Sequence, residues 1–196
     1  MDIADLAWHF AEDEDRVMTT IGHLDRLQRQ VMNCVALSDS VYASIPDNIT
    51  ASMTSPALFA RFCLPYYQEF SAQLAEKDVP LFCHMDGDLK PLWELIGQSG
   101  LRGLDSFSPQ PDNDTSIAEA IAQWPGMQLA INYPSSVHLY DQEGVRQITR
   151  DLLAQGGHSG RLMIQLSENI PPNRWRATLP VIVGEILAFG QPDAFR

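Results

Sequence analysis

Apolar residues recur along the chain at two different spacings, which predict a first helix and then alternating strands and helices. An acidic run at residues 12–15 is typical of the first turn of a helix, whose dipole favours negative charge there. The apolar residues after it recur at intervals of three or four: Val17, Ile21, Leu24, Leu27 and Val31. We therefore predict a helix here, whereas residues 1–11 leave both an ordered and a flexible segment open.

Five short apolar segments come next, and each is followed by a helical pattern. The predicted strands are residues 41–46, 79–87, 101–107, 127–133 and 161–169. Helices are predicted after Ser55-Pro56, through Leu92 and Ile96, through Ile117 and Trp124, after Asp141, and from Trp175. Strands that alternate with helices over short connections are typical of parallel βαβ units, so we predict an α/β fold with one parallel sheet.

Proline and glycine residues predict where these helices bend or end. Pro65 and Pro180 lie inside helical patterns. Each is expected to bend its helix, or at Pro180 to restart it. The pair Gly156-Gly157 is expected to end its helix with a glycine in the left-handed conformation.

The segment Val79-Pro-Leu-Phe-Cys-His-Met-Asp-Gly87 carries the first candidate chemistry. Because successive side chains of a strand alternate between faces, His84 and Asp86 point the same way, with Cα atoms about 7 Å apart. Such a pair is close enough to bind one ion or one substrate group. It is equally close enough to form a hydrogen bond within itself, and both interpretations stay open.

Polar residues stand at the predicted carboxyl ends of the strands, where parallel sheets carry their chemistry. They are Asp47, His84, Asp86, Asp105, Asn132 and Glu168. Three of them, His84, Asp86 and Glu168, are of types that bind metal ions. Asp105, Asn132, Tyr133 and His138 are further candidates for the lining of a pocket.

Composition excludes several classes of protein. The length of 196 residues suits one domain, and no apolar run approaches the ~18 residues of a membrane span. The net charge of −12 repels nucleic acid and anionic lipid surfaces. The N-terminus lacks the layout of a signal peptide, so we expect a cytoplasmic protein. Three unevenly spaced cysteines favour neither a disulfide framework nor a cysteine-only zinc site.

Four segments carry a resemblance to a known family. They are residues 55–67, Pro80-Leu-Phe-Cys-His-Met-Asp-Gly87, Gly100-Leu-Arg-Gly-Leu-Asp105 and Glu168-Asn-Ile-Pro-Pro172. In order and spacing they resemble the C-terminal part of the uroporphyrinogen decarboxylase superfamily. That superfamily includes cobalamin-linked methyltransferases, which pass methyl groups to thiols.

The resemblance implies a (β/α)₈ TIM barrel, of which residues 1–196 form a single domain with about five C-terminal strand-helix units. In the decarboxylases, the remainder of the barrel holds arginines that grip the tetrapyrrole carboxylates and a catalytic aspartate. None of the 13 basic residues here lies in a matching motif. A uroporphyrinogen decarboxylase-like lyase of porphyrin metabolism is therefore an alternative rather than the first hypothesis.

In the methyltransferase branch, the resemblance implies zinc held by His-x-Cys on the strand corresponding to residues 79–87, and by a cysteine before the Ile-Pro-Pro segment. Here His84 is kept, whereas Asp86 and Glu168 stand at the two cysteine positions. Carboxylates are harder ligands than thiolates, so this set suits zinc, with iron or manganese as alternatives. The other interpretation is a lost metal site whose carboxylates only form hydrogen bonds.

The first hypothesis is an enzyme of this superfamily that carries out metal-assisted methyl transfer to a thiol, or related one-carbon or decarboxylation chemistry. Asp105, Asn132 and Tyr133 are its catalytic candidates, a small molecule is its substrate, and a corrinoid is a candidate partner. The alternative is a truncated barrel that acts without catalysis as a binding or assembly module. Because five units leave two sheet edges open, we expect a homo-oligomer or a partner that completes the barrel.

Overall fold

The structure is a computed structural model that describes residues 3–166 and 169–190. Its internal contacts divide the chain into two compact units, Met1–Val41 and Tyr42–Arg196. Each unit is described by itself. The single domain predicted over residues 1–196 stays a prediction.

The N-terminal unit consists of two helices. α1 spans Ile3–Glu12, where the sequence left order and flexibility open, and α2 spans Glu14–Leu37. The Asp13 side chain caps α2 and accepts a hydrogen bond from the backbone N–H of Arg16 at 3.1 Å. Acidic residues fill the first turn of α2, which confirms the predicted acidic start of this helix.

The C-terminal unit is built on one five-stranded parallel sheet. Its strands are β1 (Ala43–Ile45), β2 (Leu81–Met85), β3 (Gly103–Phe107), β4 (Gln128–Asn132) and β5 (Leu162–Gln165). They lie side by side in chain order, and every neighbouring pair is parallel. All five predicted strands are confirmed, each shorter than its predicted segment.

Helices follow the strands in turn. After β1 come α3 (Pro56–Leu58), a π-helical turn (Phe59–Cys63) and α4 (Leu64–Ala75); after β2, a 3₁₀ turn (Lys90–Leu92) and α5 (Trp93–Gly97); after β3, α6 (Ile117–Gln123); after β4, a 3₁₀ turn (Ser135–Leu139), α7 (Gln142–Gly156) and a further 3₁₀ turn (Gly157–Ser159); after β5, α8 (Trp175–Phe189). Parallel strands joined in chain order by helices form a partial (β/α)₈ barrel, as predicted.

Side-chain caps fix the starts of α3 and α7 at the positions that the sequence indicated, and a further cap fixes the start of α6. Ser55 and Asp141 each accept a hydrogen bond from the backbone N–H three residues on, with Pro56 in the first turn of α3. Ser116 and Glu119 form a reciprocal capping box at the start of α6. None of the helices in the described ranges has both the length and the apolar character needed to cross a membrane.

The predicted left-handed end of α7 at Gly156-Gly157 is wrong. Gly157 has a φ of −59°, and the chain continues into a 3₁₀ turn before Gly160 adopts the left-handed conformation with φ of +67°. Gly157 is needed for packing instead, because a Cβ at this position would lie 2.3 Å from the Phe189 ring of α8.

The two prolines are accommodated in different ways. Pro65 lies in the first turn of α4, directly after the π-helical turn in which the Leu64 N–H reaches the Phe59 carbonyl. The missing N–H of Pro65 therefore coincides with a locally wider turn. Pro180 lies inside α8, which is continuous, so it does not restart the helix.

The sheet has one face under the helices and one that is less covered. Leu81, Cys83 and Met85 of β2 are at most 1% exposed, and the Cys83 thiol lies 3.4 Å from the Tyr67 hydroxyl of α4. Strand alternation and pairing place a second set of residues on the opposite face of the sheet, which we call the inner face. This set is Phe82, His84, Asp105, Ala130, Asn132, Met163 and Gln165. The predicted separation of His84 from Cys83 is thus confirmed.

Candidate functional site

His84 and Asp86 lie together at the carboxyl end of β2. The His84 Nε2 atom is 3.3 Å from Asp86 Oδ2, and the two side chains are 25% and 36% exposed. Strand alternation predicts this proximity. The pair is therefore close enough to act as a unit and exposed enough to meet a small molecule.

A register shift in β3 brings a backbone amide to the His84 ring. Cys83 pairs with Leu104 but Met85 pairs with Phe107, so β3 holds one more residue than β2 over this stretch. The Ser106 N–H donates to His84 Nδ1 at 2.8 Å instead of joining the regular ladder. No feature of the sequence predicted this contact, because a bulge has no distinctive residue pattern here.

Gln165 of β5 joins the same network. Its Nε2 atom donates to Asp105 Oδ1 at 2.7 Å and to Ser106 Oγ at 2.8 Å. Gln165 was absent from the predicted site, although a polar residue at an inward position of an apolar strand was a usable signal. Predicted Asp105 and unpredicted Gln165 thus connect the β3 bulge to β5.

Asn132, at the carboxyl end of β4, has an unsatisfied acceptor. The residue is 2% exposed, and its Nδ2 atom donates to Ser108 Oγ at 2.7 Å. Within the described residues, Asn132 Oδ1 has no hydrogen-bond partner. A buried polar atom without a partner costs about 1–3 kcal/mol, so a donor from a bound molecule would be favourable there.

Tyr133 and His138 lie apart from this network. The Tyr133 hydroxyl contacts Thr149 Oγ1 of α7 at 3.0 Å, on the helix-covered face, and burial raises the Tyr133 pKa. His138 Nδ1 contacts Thr178 Oγ1 of α8 at 2.7 Å, and burial, helped by Arg174, lowers the His138 pKa. The structure therefore brings Asp105 and Asn132, but not Tyr133 or His138, to the inner face.

The predicted metal set is incomplete in the described part of the chain. Glu168 lies outside the described residues, and within them no group of three or more histidine, cysteine or acidic side chains could hold a metal ion. His84 accepts a hydrogen bond at Nδ1 and faces Asp86 with Nε2, so neither ring nitrogen offers a free lone pair. In this arrangement His84 does not fit a metal ligand, and the set with Glu168 stays a prediction.

Two loops are fixed beside the pair. Asp114, in the loop after β3, accepts hydrogen bonds from the backbone N–H groups of Leu89 and Lys90, where the loop after β2 enters its 3₁₀ turn. Gly87 packs against Thr50, because a Cβ added to Gly87 would lie 2.2 Å from the Thr50 Cβ. The chain therefore needs glycine after Asp86 for close approach of the β1 loop.

Asp47 belongs to a separate, buried cluster. The Tyr67 hydroxyl donates to Asp47 Oδ2 at 2.8 Å, and the Cys83 thiol donates to the same hydroxyl at 3.4 Å. Burial raises the pKa of Cys63 to about 11 and that of Cys83 to about 12. This strand-end carboxylate thus supports packing of α4 against the sheet, on the face opposite to His84.

Two cavities lie away from the pair. One of about 290 Å³ is lined by residues of α7, α8 and the 3₁₀ turn between α7 and β5, including Arg150, His158 and Glu185. Another of about 370 Å³ lies at the amino ends of β2, β3 and β4, with Asp78 and Arg102 in its lining. His84 and Asp86 line neither, which agrees with their position on an open sheet face.

These features define a class of protein. A parallel βα sheet with connected polar side chains at its carboxyl strand ends is the arrangement of α/β-barrel enzymes, which bind substrates at that end.

Comparison with known proteins identifies the family within this class. The family model for uroporphyrinogen decarboxylase (URO-D) matches residues 5–183, so the chain belongs to the URO-D family. A methyltransferase from Methanosarcina mazei shares its fold, with a TM-score of 0.71 at 13% sequence identity. The match covers 96% of this chain and 54% of that one, so the chain spans about half the length of this neighbour. No curated protein matches the sequence.

Proposed function

We propose that the chain supplies the substrate-binding strand ends of a URO-D-family enzyme that transfers a methyl group to a thiol. The observation that carries the proposal is the His84–Asp86 pair, exposed at the carboxyl end of β2 and held by the Ser106 N–H. The shared fold with a methyltransferase makes methyl transfer the first reaction to test.

The inner face suits a proton-donating substrate such as a thiol. No described residue bonds to Asp86 Oδ1, so this oxygen is available to accept the thiol proton. The sulfur then forms a bond to the methyl carbon, and the bond between that carbon and its donor breaks with its electron pair leaving on the donor. A methylated corrinoid is the proposed donor. No step of this proposal uses a metal ion held by this chain, because the electron pair leaves with the corrinoid donor.

A substrate with many carboxylates fits this face less well. None of the described inner-face residues is a lysine or an arginine, and the chain carries a net charge of −12. Lys90, the basic residue nearest to the pair in sequence, is ion-paired with Glu119 at 3.0 Å. Repulsion between like charges therefore disfavours a tetrapyrrole polycarboxylate and the lyase alternative.

The test is a comparison of two reactions with the purified chain. In one, methylcobalamin and a small alkyl thiol are the substrates, and the methyl thioether is measured by mass spectrometry. In the other, decarboxylation of uroporphyrinogen is followed. We expect the thioether to form faster with the protein than without it, and no decarboxylation. Decarboxylation without thioether formation would favour the lyase. If neither reaction occurs, the non-catalytic binding module is favoured.

We also propose that the chain functions as a homo-oligomer. β5 has a neighbour on one side only within the described sheet, and Val183 and Leu187 of the following helix α8 are 50% and 61% exposed. An unpaired edge strand and an exposed apolar helix face each favour pairing with another chain. We therefore propose a second copy of this chain as the partner.

A further inference from the structure

The hydrogen bond that the His84 ring accepts determines where the ring carries a proton. The Ser106 backbone N–H donates to Nδ1 at 2.8 Å, and a backbone amide has no lone pair with which to accept a hydrogen bond in return. Nδ1 must therefore be unprotonated. In a neutral imidazole the single proton is then on Nε2, which faces Asp86 Oδ2 at 3.3 Å.

Rotating the ring by half a turn does not satisfy the same groups. It would place carbon atoms opposite both the Ser106 N–H and Asp86. Ser106 is 3% exposed, so its N–H would lose its acceptor in a place with little access to water. The hydrogen-bond network thus selects one orientation and one tautomer of His84.

This arrangement differs from that of a metal-binding histidine at one of the two ring nitrogens. Such a histidine coordinates the metal with one nitrogen and donates the N–H of the other to a carboxylate or carbonyl. Here the nitrogen away from the carboxylate accepts from an N–H donor, and the other nitrogen lies 3.3 Å from Asp86 Oδ2. Both nitrogens are occupied without a metal.

We propose that His84 is a positioning residue that holds Asp86 through its Nε2–H, and that the Asp86 carboxylate is the group that meets the ligand. Asn132 Oδ1, on the same face but two strands away, is a further buried acceptor without a partner among the described residues. The Asp86 carboxylate selects a neutral or cationic group that donates hydrogen, such as a thiol or an ammonium. The inference rests on the proposed site but not on which one-carbon reaction it performs.

The direct test is nitrogen NMR of the ¹⁵N-histidine-labelled full chain, with and without one equivalent of zinc. His84→Gln identifies the His84 signals by their disappearance. We expect the spectrum of the Nε2–H tautomer for His84, unchanged by zinc. A proton on Nδ1, or a zinc-dependent shift of the His84 Nε2 signal, would overturn the inference.

The same variant separates positioning from metal binding. Glutamine has a carbonyl that can accept from Ser106 and an amide that can donate to Asp86, whereas it is a poor zinc ligand. We expect wild type and His84→Gln to bind zinc with equal affinity in a chelator competition. A loss of about tenfold or more in His84→Gln would contradict the proposal.

The tautomer result and the methyl-transfer result can fail separately. If the Nε2–H tautomer is found but no methyl thioether forms, the reaction is wrong while the role of His84 stands. If methyl transfer is found, we expect His84→Gln to retain it and His84→Ala to lose it, because alanine cannot hold Asp86. Equal loss in both variants would contradict the positioning role.

Discussion

Two thiols near Tyr67 differ in their surroundings from the third cysteine of the chain. Cys83 is buried and Cys63 half-buried, whereas Cys34 is exposed. Burial, with a further contribution from the Asp47 charge, raises the pKa of Cys63 to about 11, and burial raises that of Cys83 to about 12. Only about one Cys63 thiol in a thousand is therefore ionised at pH 8.

Alkylation rates should follow these differences. We expect iodoacetamide to label Cys34 first at pH 8, and labelling of Cys63 to accelerate as the pH rises towards 11, because the thiolate is the reactive form. Peptide mass spectrometry over time measures each site, and Cys34→Ser should leave only slow labelling. Labelling of Cys63 or Cys83 as fast as Cys34 would show that the thiols are not enclosed as described.

Gly87 should be intolerant of a side chain. In Gly87→Ala the new Cβ would lie 2.2 Å from the Thr50 Cβ, so we expect the free energy of unfolding to fall by about 2 kcal/mol in urea denaturation. Gly126→Ala is the control, since nothing lies within 4 Å of the added atom. Thr50→Gly should recover part of the loss in the double variant. Purely additive effects would argue against this contact.

For individual residues, the alternation of side chains along a strand was the most useful guide in the sequence. It predicted that His84 and Asp86 lie together and that Cys83 points away. Applied to β4, the same rule separates Asn132 from Tyr133, and Tyr133 indeed contacts α7. The contact of the Ser106 N–H with His84 could not be predicted, because it depends on a register shift between two strands.

Among the elements, α7 and α8 are joined by one buried carboxylate. Glu185 is 6% exposed and accepts hydrogen bonds from Arg146 at 2.6 Å and Arg150 at 2.7 Å. Burial alone would raise the Glu185 pKa, but the bonds from Arg150 and Arg146 outweigh it, so the pKa is lowered. Its contribution to stability is therefore present at neutral pH and is lost as the pH falls through this lowered pKa.

Glu185→Gln should weaken this helix pair. We expect the free energy of unfolding at neutral pH to fall by about 2 kcal/mol, because the two partly exposed arginines lose their shared charge partner. Glu143→Gln is the matched control: Glu143 also pairs with Arg146, but its side chain is 74% exposed, and the change should cost under about 1 kcal/mol. Equal effects of the two variants in thermal or urea unfolding would contradict the account.

The helices and strands themselves were largely predictable from the sequence, but the side-chain contacts between them were not. Acidic, serine and proline signals placed the starts of α2, α3 and α7 correctly. The link between Glu185 and Arg146 spans 39 residues of sequence, and no local pattern encodes it. Gly157 was misread for the same reason, since its role depends on Phe189 of a different helix.

At the scale of the whole molecule, the five-stranded sheet remains open at β1 and β5 within the described residues. The parallel arrangement of the strands followed from the alternation of elements, and their order from the resemblance to a (β/α)₈ barrel. The number of chains needed to cover the open edge could not be predicted from the sequence, because exposure of an apolar face is a property of the assembled structure.

The oligomer proposal predicts a mass above that of one chain in light scattering after size-exclusion chromatography. Val183→Lys with Leu187→Lys should shift the protein towards the monomer, because two charges would be buried in the contact. Met53→Lys, at a side chain that is 49% exposed in another part of the unit, should not. A monomeric wild type would contradict the proposal.

The central claim places the reacting carboxylate at the carboxyl end of β2, and one comparison tests it directly: the rate of methyl thioether formation by wild type, Asp86→Asn and Asp78→Asn. Asp78 lies before the amino end of the same strand, and its φ of +56° suits asparagine equally well. We predict that Asp86→Asn is at least about 100-fold slower than wild type and that Asp78→Asn is unchanged. An Asp86→Asn protein as fast as wild type would contradict the account.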